Sequence, residues 1–237
     1  MQKFKQYITE AAGKNLHMTH LEDAVLDGGV TGTRNVINYL RAIRDMLSGN
    51  ASAPVSLTTK WDGAPAIFAG VDPSDGQFFV AKKGVFNKTP KLYKTESEIN
   101  DEISGDLAVK FKIALKEFSK LGIKGVLQGD LMFTDDVDTT TIDGEKYYTF
   151  QPNTIVYAIS VDSKLGNIIK KAKIGIVWHT TYSGKTLQDM KASFGADIKS
   201  LSKSSSVWMD DATYKDVSGK ATFNAKETEK ITAILSQ

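Results

Sequence analysis

The sequence predicts an α+β fold with mostly antiparallel sheets flanked by helices, and two observations carry this prediction. Apolar residues recur at helical spacing over residues 33–47 and 105–121, which indicates two amphipathic helices. Residues 66–69 and 78–81 are short apolar runs on either side of a turn-forming stretch at residues 72–76. Runs of this kind, separated by a turn, are typical of an antiparallel strand pair.

The remaining elements follow in chain order. Residues 1–12 are a short polar appendage, and residues 13–237 contain no internal repeat and no linker, so they are predicted to form one domain. Further strands are expected at residues 55–60, 125–133, 154–161 and 174–178, an acidic, turn-rich insert at 135–145, and further helices just before residue 174 and at 224–235.

Composition excludes several kinds of site. The 237 residues include 30 Lys and Arg against 28 Asp and Glu, so the net charge of +2 predicts no particular partner. The absence of cysteine excludes disulfides, Cys-ligated metal sites and thiol catalysis, and three histidines argue against a His-rich metal site. No apolar run approaches the roughly 20 residues of a membrane span, and no secretory signal follows Met1. A soluble, intracellular protein without a membrane partner is expected.

The most informative segment is Lys60-Trp61-Asp62-Gly63. A lysine at a strand end, followed by an acid and a glycine turn, is placed to present its amine to a phosphate. Such an amine becomes a nucleophile when burial or nearby cations depress its pKa. The alternative is a strand that ends in a hairpin with an exposed lysine, and these four residues alone do not decide between the two.

A lysine-rich strip follows this segment. Residues 81–94 contain five lysines and no acid, beginning with Lys82 and Lys83. One-sided positive charge beside a strand pair suits the phosphates of a nucleotide or of a nucleic acid backbone. The alternative is a solvated loop.

Two later strands each carry one notable side chain. Asp130 is the lone carboxylate of the apolar run 125–133, so it must be paired, hydrogen-bonded or a ligand. A salt bridge to a core lysine is the alternative to a ligand role. Trp178 lies at the end of the apolar run 174–178, where its ring either stacks on a base or packs in the core.

In this order, the segments resemble motifs of the covalent nucleotidyltransferase superfamily, which comprises ATP-dependent DNA and RNA ligases and mRNA capping enzymes. Lys60-Trp61-Asp62-Gly63 resembles the first motif, whose lysine takes up a nucleotide through a phosphoramide bond. Lys82-Lys83-Gly84 stands where the next short motif lies, with lysine in place of arginine. Gln128-Gly129-Asp130-Leu131 resembles the D-G-E-L motif. Ile176-Val177-Trp178-His179 resembles the strand whose aromatic ring stacks on the purine, with histidine in place of an acid.

The resemblance covers residues 55–187 and implies a ligase-type adenylation fold. It implies an ATP-dependent ligase that joins DNA or RNA ends through a lysyl-AMP intermediate, with Lys60 as nucleophile and Mg²⁺ as cofactor. Asp130 would bind the ribose or the metal, and Trp178 would stack on adenine. Nucleotide-binding roles are implied likewise for Asp62, Gly63, Lys82 and Lys83.

Two later motifs of the superfamily are missing. The chain has no Glu-Gly dipeptide, and its three K-x-K sequences stand in the wrong order or on a predicted helix. Either the chain is the N-terminal part of a longer protein or its site has diverged. A non-catalytic phage protein that keeps the fold to bind nucleic acid or a virion partner is therefore the alternative function.

The N-terminus carries a second resemblance. Residues 8–11, Ile-Thr-Glu-Ala, resemble the cleavage signal of the prohead proteases of T4-like phages, and a frayed N-terminus is the alternative. Together with the ligase-like segments, this match predicts a phage protein in the cytoplasm of the infected host. A functional cleavage signal would also predict association with the capsid and packaging in the phage head.

Overall fold

The computed structural model of the chain describes residues 21–50, 58–213 and 223–237. The chain divides into two compact units, one formed by Thr58–Thr213 and the other by Met1–Leu57 together with Tyr214–Gln237. The predicted appendage at residues 1–12 and the first half of the predicted strand at residues 55–60 lie outside the described residues.

Helices and strands are mixed along the chain, which confirms the predicted α+β class. The helices are α1 (Leu21–Leu47), α2 (Glu96–Glu102), α3 (Gly105–Phe118), α4 (Lys164–Ile169) and α5 (Ala225–Ile234). The strands are β1 (Ala66–Val71), β2 (Phe78–Ala81), β3 (Val126–Phe133), β4 (Asp138–Ile142), β5 (Glu145–Phe150), β6 (Tyr157–Ser160), β7 (Ile174–Ser183), β8 (Lys191–Phe194) and β9 (Val207–Asp211).

The main sheet of the Thr58–Thr213 unit has the strand order β2-β1-β3-β7-β8, and β9 pairs with β7 beside β8. Every pair in it is antiparallel except β7 with β9, which is parallel. The predicted turn at residues 72–76 joins β1 to β2, where the backbone N–H of Asp72 donates to the carbonyl of Gln77. The mostly antiparallel arrangement that the sequence predicts is therefore confirmed.

Helix α3 covers one face of the main sheet because its apolar side chains recur at helical spacing. Its buried residues Phe111, Ala114 and Phe118 pack in one core cluster with Trp178 of β7. Leu127 and Leu131 of β3 also belong to this cluster. Since side chains alternate between the two faces of a strand, the intervening polar residues of β3 lie on the opposite face.

A smaller sheet has the order β4-β5-β6. The sequence predicts an acidic, turn-rich insert at residues 135–145, but the structure contains a β-hairpin there. Asp143 and Gly144 form its turn with φ values of 50° and 83°. Two positive φ values are typical of the tight hairpin turn that an Asp-Gly pair favours. The prediction of an acidic, turn-rich insert was wrong because it followed the acidic composition of residues 135–145, whereas the Asp143-Gly144 pair within them favours a hairpin.

The other unit contains α1 and α5. Helix α1 begins at Leu21, twelve residues before the predicted start, and it kinks at Gly29 instead of beginning after it. Acidic residues in its first turn favour a helix there because their negative charges are attracted to the positive N-terminal end of the helix dipole. Helix α5 confirms the predicted C-terminal helix, with a capping box between Asn224 and Glu227.

An ion triad ties the β1–β2 turn to the segment that follows β2. Lys94 Nζ lies 2.6 Å from Asp72 Oδ2 and 2.7 Å from Asp75 Oδ2. Burial raises the pKa of the Asp72 carboxyl, but hydrogen bonds from Lys94 and Ser74 outweigh it, so the net pKa is lowered. Among the described residues, Lys94 is the one cation that contacts this buried carboxylate.

We expect Lys94→Met to lower the free energy of unfolding by roughly 1–3 kcal/mol, because the Asp72 carboxylate loses its charged donor while it stays buried. The loss should shrink at acid pH. A carboxyl whose folded pKa is depressed stabilises the fold above its unfolded pKa, near 3.9, and this contribution disappears as pH falls through the folded value. Urea unfolding followed by tryptophan fluorescence at neutral pH and near pH 3 measures both effects. Equal stability of the variant and wild type at neutral pH would contradict this account.

Candidate functional site

The Lys60-Trp61-Asp62-Gly63 segment, which we call the Lys60 turn, has no regular secondary structure and crosses strand β7 on the face of the main sheet opposite α3. On one side, the N–H of Thr59 donates to the carbonyl of Ala212, just after β9. On the other side, the N–H of Ala64 donates to the carbonyl of Leu131 in β3. Because β7 lies between β9 and β3, residues 60–63 span it.

Asp62 holds this turn to the loop before β6. Its carboxylate accepts hydrogen bonds from Asn153 Nδ2 at 2.8 Å, from the Thr154 N–H and hydroxyl at 2.7 and 2.6 Å, and from the Ile155 N–H at 2.9 Å. These four bonds, led by the Thr154 hydroxyl, hold the pKa of the Asp62 carboxyl well below its usual range. A carboxylate offers about four acceptor positions. Little capacity therefore remains for the nucleotide contact that the resemblance implies.

We expect Asp62→Ala to speed hydrogen exchange at the amides of Thr154 and Ile155, because both lose their acceptor. Protection in wild type should also fade at acid pH, since a depressed folded pKa means that the bonds persist until pH falls below the usual range of aspartate. Asp138→Ala, an exposed aspartate on β4, is the matched control and should leave both amides unchanged. Unaltered exchange in Asp62→Ala would show that the loop is ordered by other contacts.

The residues on either side of Asp62 are also anchored. Trp61 stacks on Tyr157 with ring centroids 5.5 Å apart and meets Trp208 edge-on at 6.3 Å. Gly63 lies directly against β3, because a side chain there would place its Cβ 2.6 Å from the Cβ of Asp130. Lys60 is exposed, as the alternative left open by the sequence expects, and within the described part of the chain its amine has neither a hydrogen bond nor an ion-pair partner.

Two carboxylates lie on the face that the turn crosses. Asp130 of β3 pairs with Val177 of β7, and Val177 pairs in turn with Asp210 of β9. Directly paired residues point to the same face of a sheet, so the two carboxylates flank Val177 below the turn. The sequence identified Asp130 from its place inside the apolar run 125–133, but Asp210, which follows the short apolar run 207–209, was missed.

A β-bulge brings His179 into the site. The register shifts so that Gln128 pairs with Thr180 and Gly129 with Trp178, which leaves His179 as the extra residue of β7. Its Nε2 lies 3.9 Å from Asp130 Oδ1, and its Nδ1 is 2.8 Å from the Thr180 hydroxyl. His179, which the resemblance left without a role, is therefore the β7 side chain beside Asp130.

The structure contradicts the predicted role of Trp178. Its side chain is 0% exposed and lies in the core against α3, with its ring 5.2 Å from that of Phe118. Strand alternation turns it away from Val177 and from the turn. Since no base can reach a fully buried ring, Trp178 belongs to the core, which is the alternative that the sequence left open.

The lysine-rich strip is smaller than the sequence indicates. Lys94 is bound by the ion triad, and Lys91 Nζ lies 2.9 Å from Glu102. Lys82 and Lys83 directly follow β2, whose last residue pairs with Phe68 near the start of β1. They extend towards the end of the sheet at which Asp130 pairs with Ala66, and in the described ranges neither has an ion-pair partner.

Asp130, the predicted metal ligand, is not part of a group of protein side chains that could hold a metal ion within the described residues. In the described ranges, no group of three or more His, Asp or Glu side chains is arranged to hold a metal ion. Asp130 is half-buried and contributes one carboxylate. Mg²⁺ is commonly held by one or two carboxylates together with substrate phosphates and water, so Asp130 fits a metal that arrives with a nucleotide.

Comparison with known proteins identifies one family. The model of a family described as a family of unknown function (DUF6267) matches residues 15–237. No curated protein and no solved structure matches the chain. None of the helices in the described ranges combines the length and the apolar character that crossing a bilayer requires.

Proposed function

The chain belongs to the DUF6267 family, a family of unknown function, and we propose that it is an ATP-dependent nucleotidyltransferase of the polynucleotide ligase type. The observation that carries this proposal is the contrast within one turn. Trp61, Asp62 and Gly63 are each anchored, whereas the amine of Lys60 is exposed and unpartnered within the described residues. A turn built in this way presents one nucleophile from a fixed backbone, which is the positioning that covalent catalysis needs.

The proposed reaction begins at Lys60. Its neutral amine attacks the α-phosphorus of ATP, so a P–N bond forms while the P–O bond to pyrophosphate breaks and the amine loses a proton. The AMP then passes from Lys60 to the 5′-phosphate of a nucleic acid end, and a 3′-hydroxyl finally displaces AMP to form the phosphodiester. Each step is an in-line displacement at phosphorus, for which positioning and charge neutralisation supply most of the rate.

The neighbouring charges suit such a reaction. Lys82 and Lys83 have no ion-pair partner in the described part of the chain, although the charge of Lys82 helps to lower the pKa of the Glu102 carboxyl, and both ammonium groups suit the neutralisation of phosphate oxygens. Mg²⁺, bound with the nucleotide, would supply further charge neutralisation, and Asp130 is the carboxylate on this face that fits it. His179 lies next to Asp130, with its Nε2 3.9 Å from Asp130 Oδ1.

The test is to incubate the purified chain with α-labelled ATP and Mg²⁺, denature it, digest it and locate any label by mass spectrometry. The proposal expects an AMP adduct on the peptide that contains Lys60 and no adduct on peptides from the lysine-rich strip. A folded chain without any adduct would overturn the proposal. In that case salt-dependent binding of DNA or RNA would favour the non-catalytic nucleic-acid-binding alternative.

A further inference from the structure

Phe194 is an unusual side chain in the Thr58–Thr213 unit. It is the last residue of β8 and 65% exposed. Among all the Phe, Tyr and Trp residues within the described ranges, no other ring is exposed. Phe194 also has no aromatic neighbour in the part of the chain that the structure describes. Single exposed apolar side chains are common on proteins, so the position of this one decides whether it has a function.

Its position is on the face that carries the candidate site. Phe194 pairs with Thr180, and Thr180 pairs with Gln128 of β3, so the three side chains point to one face. The N–H of the next residue, Gly195, donates to the carbonyl of His179 at 2.8 Å. His179 contacts Thr180 on one side and approaches Asp130 on the other. The exposed ring is therefore separated only by strand β7 from Asp130 of β3, the carboxylate beside the Lys60 turn.

Side-chain hydrogen bonds, in addition to the backbone hydrogen bonds with β7, hold strand β8 in place. The Thr181 hydroxyl donates to the carbonyl of Gly195 at 2.8 Å. The Ser193 hydroxyl donates to the carbonyl of Thr181 at 3.3 Å. These bonds cross from β7 to β8 on both sides of Phe194. The backbone that carries the ring is therefore held in place, so binding a base has to order only the two side-chain torsions of Phe194.

The charges around β8 favour an anionic partner. Lys185 lies in the loop before this strand and has no ion-pair partner in the described ranges, whereas Lys191 is three residues from Phe194 in the strand and therefore points to the opposite face. Across the face that carries Phe194 lie Lys60 and the Lys82-Lys83 pair, equally without partners in the described ranges. Exposed aromatic rings on a sheet, flanked by lysines, are the arrangement with which proteins bind unpaired nucleotides, because the ring stacks on the base and the lysines meet the phosphates.

We propose that Phe194 is a stacking platform for an unpaired base of the acceptor nucleic acid, next to the end that receives AMP. The inference rests on the proposed function, which supplies a nucleic acid end as the acceptor. It adds that the acceptor has at least one base out of the duplex at this point, so the protein prefers single strands or open ends to blunt duplexes. Stacking does not distinguish DNA from RNA, so both serve as probes.

The test measures binding of short 5′-phosphorylated single strands of DNA and of RNA, and of a blunt duplex, by fluorescence anisotropy at fixed salt. Phe194→Ala should weaken single-strand binding roughly 5- to 100-fold, which corresponds to the loss of one stacked base. Phe194→Trp should retain it, and Phe194→Leu, which keeps apolar area without a π face, should lose most of it. Ile168→Ala, an exposed apolar residue of α4, is the control and should bind as wild type.

The adenylation assay run on the same variants separates this inference from the proposed function. Phe194→Ala should still form the Lys60 adduct, because the ring contacts the acceptor and not ATP. Equal single-strand binding by wild type, Phe194→Ala and Phe194→Leu would overturn the inference. A wild-type chain that forms the adduct but binds no strand would also overturn it while the proposed nucleotidyl transfer stands. Phe194-dependent binding without an adduct would support base stacking on Phe194 but would overturn the enzymatic proposal and, with it, the role of the bound strand as AMP acceptor.

Discussion

Lys60→Arg is expected to lose the covalent AMP adduct completely, although it keeps the positive charge at that position. A guanidinium stays protonated at any pH that the protein tolerates, so it has no free electron pair with which to attack phosphorus. Lys60 is exposed and unpartnered within the described residues, and substitutions at such positions change stability by no more than about 0.5 kcal/mol. The loss should therefore appear in the adduct assay without a change in the urea unfolding curve.

Lys164→Arg is the matched control, since Lys164 is another exposed lysine of the same unit, at the start of α4. It should form the Lys60 adduct at the wild-type rate. ATP binding measured without Mg²⁺ should survive in Lys60→Arg, because the charge that meets the phosphate is kept. An adduct of wild-type yield in Lys60→Arg would show that another group is labelled, and the assignment of the nucleophile would have to be abandoned.

Much of the secondary structure follows from local patterns in the sequence. Strand β2 has the predicted bounds, and β1 and β3 match within two residues at each end, because short apolar runs bounded by turn residues define them. Helix α3 and the short turn after it cover the predicted residues 105–121. In each case the decisive information lies within a few residues of the element itself.

The strands that the sequence did not predict depend on their partners. Strand β8 has only exposed residues, so no buried stripe marks it, and it exists because β7 continues to Ser183 and offers an edge. Strand β9 follows a serine-rich stretch and joins β7 in parallel, a pairing that no local turn signal announces. Strands of this kind are defined by a neighbour rather than by their own pattern.

The residues of the candidate site also divide into those that local sequence identifies and those whose role depends on distant parts of the chain. The Lys60 turn was identified from four consecutive residues, whereas the role of Trp178 depended on which face of β7 it occupies. The run Ile174–Trp178 is apolar on both faces, so its alternation carries no information, and the bulge at His179 shifts the register further. The ion-pair partners of a lysine are equally hard to read from local sequence, since Lys94 pairs with carboxylates 22 and 19 residues earlier in the chain.

Gly63→Ala is expected to reduce the rate of adduct formation by about 100-fold or more, because it moves the Lys60 turn away from β3. A methyl group at this position would lie 2.6 Å from the Cβ of Asp130, 2.9 Å from the carbonyl oxygen of Leu131 and 3.0 Å from the sulfur of Met132. Two of these three atoms belong to the backbone or to a Cβ, so they cannot rotate away. The turn has to lift, and Lys60 moves with it.

The same substitution should lower the free energy of unfolding by roughly 1–3 kcal/mol, the usual cost of forcing extra volume into a close contact. Gly28→Ala in α1 is the control, since no atom lies within 4 Å of its added Cβ and alanine favours a helix. A loss of adduct formation that is much larger than the loss of stability explains would support the proposed role of the turn in positioning Lys60. A loss of this size is small beside the total stability of a typical domain, so most molecules should stay folded while the reactive amine is misplaced. A Gly63→Ala variant that forms the adduct at the wild-type rate would mean that Lys60 reacts without the turn lying against β3.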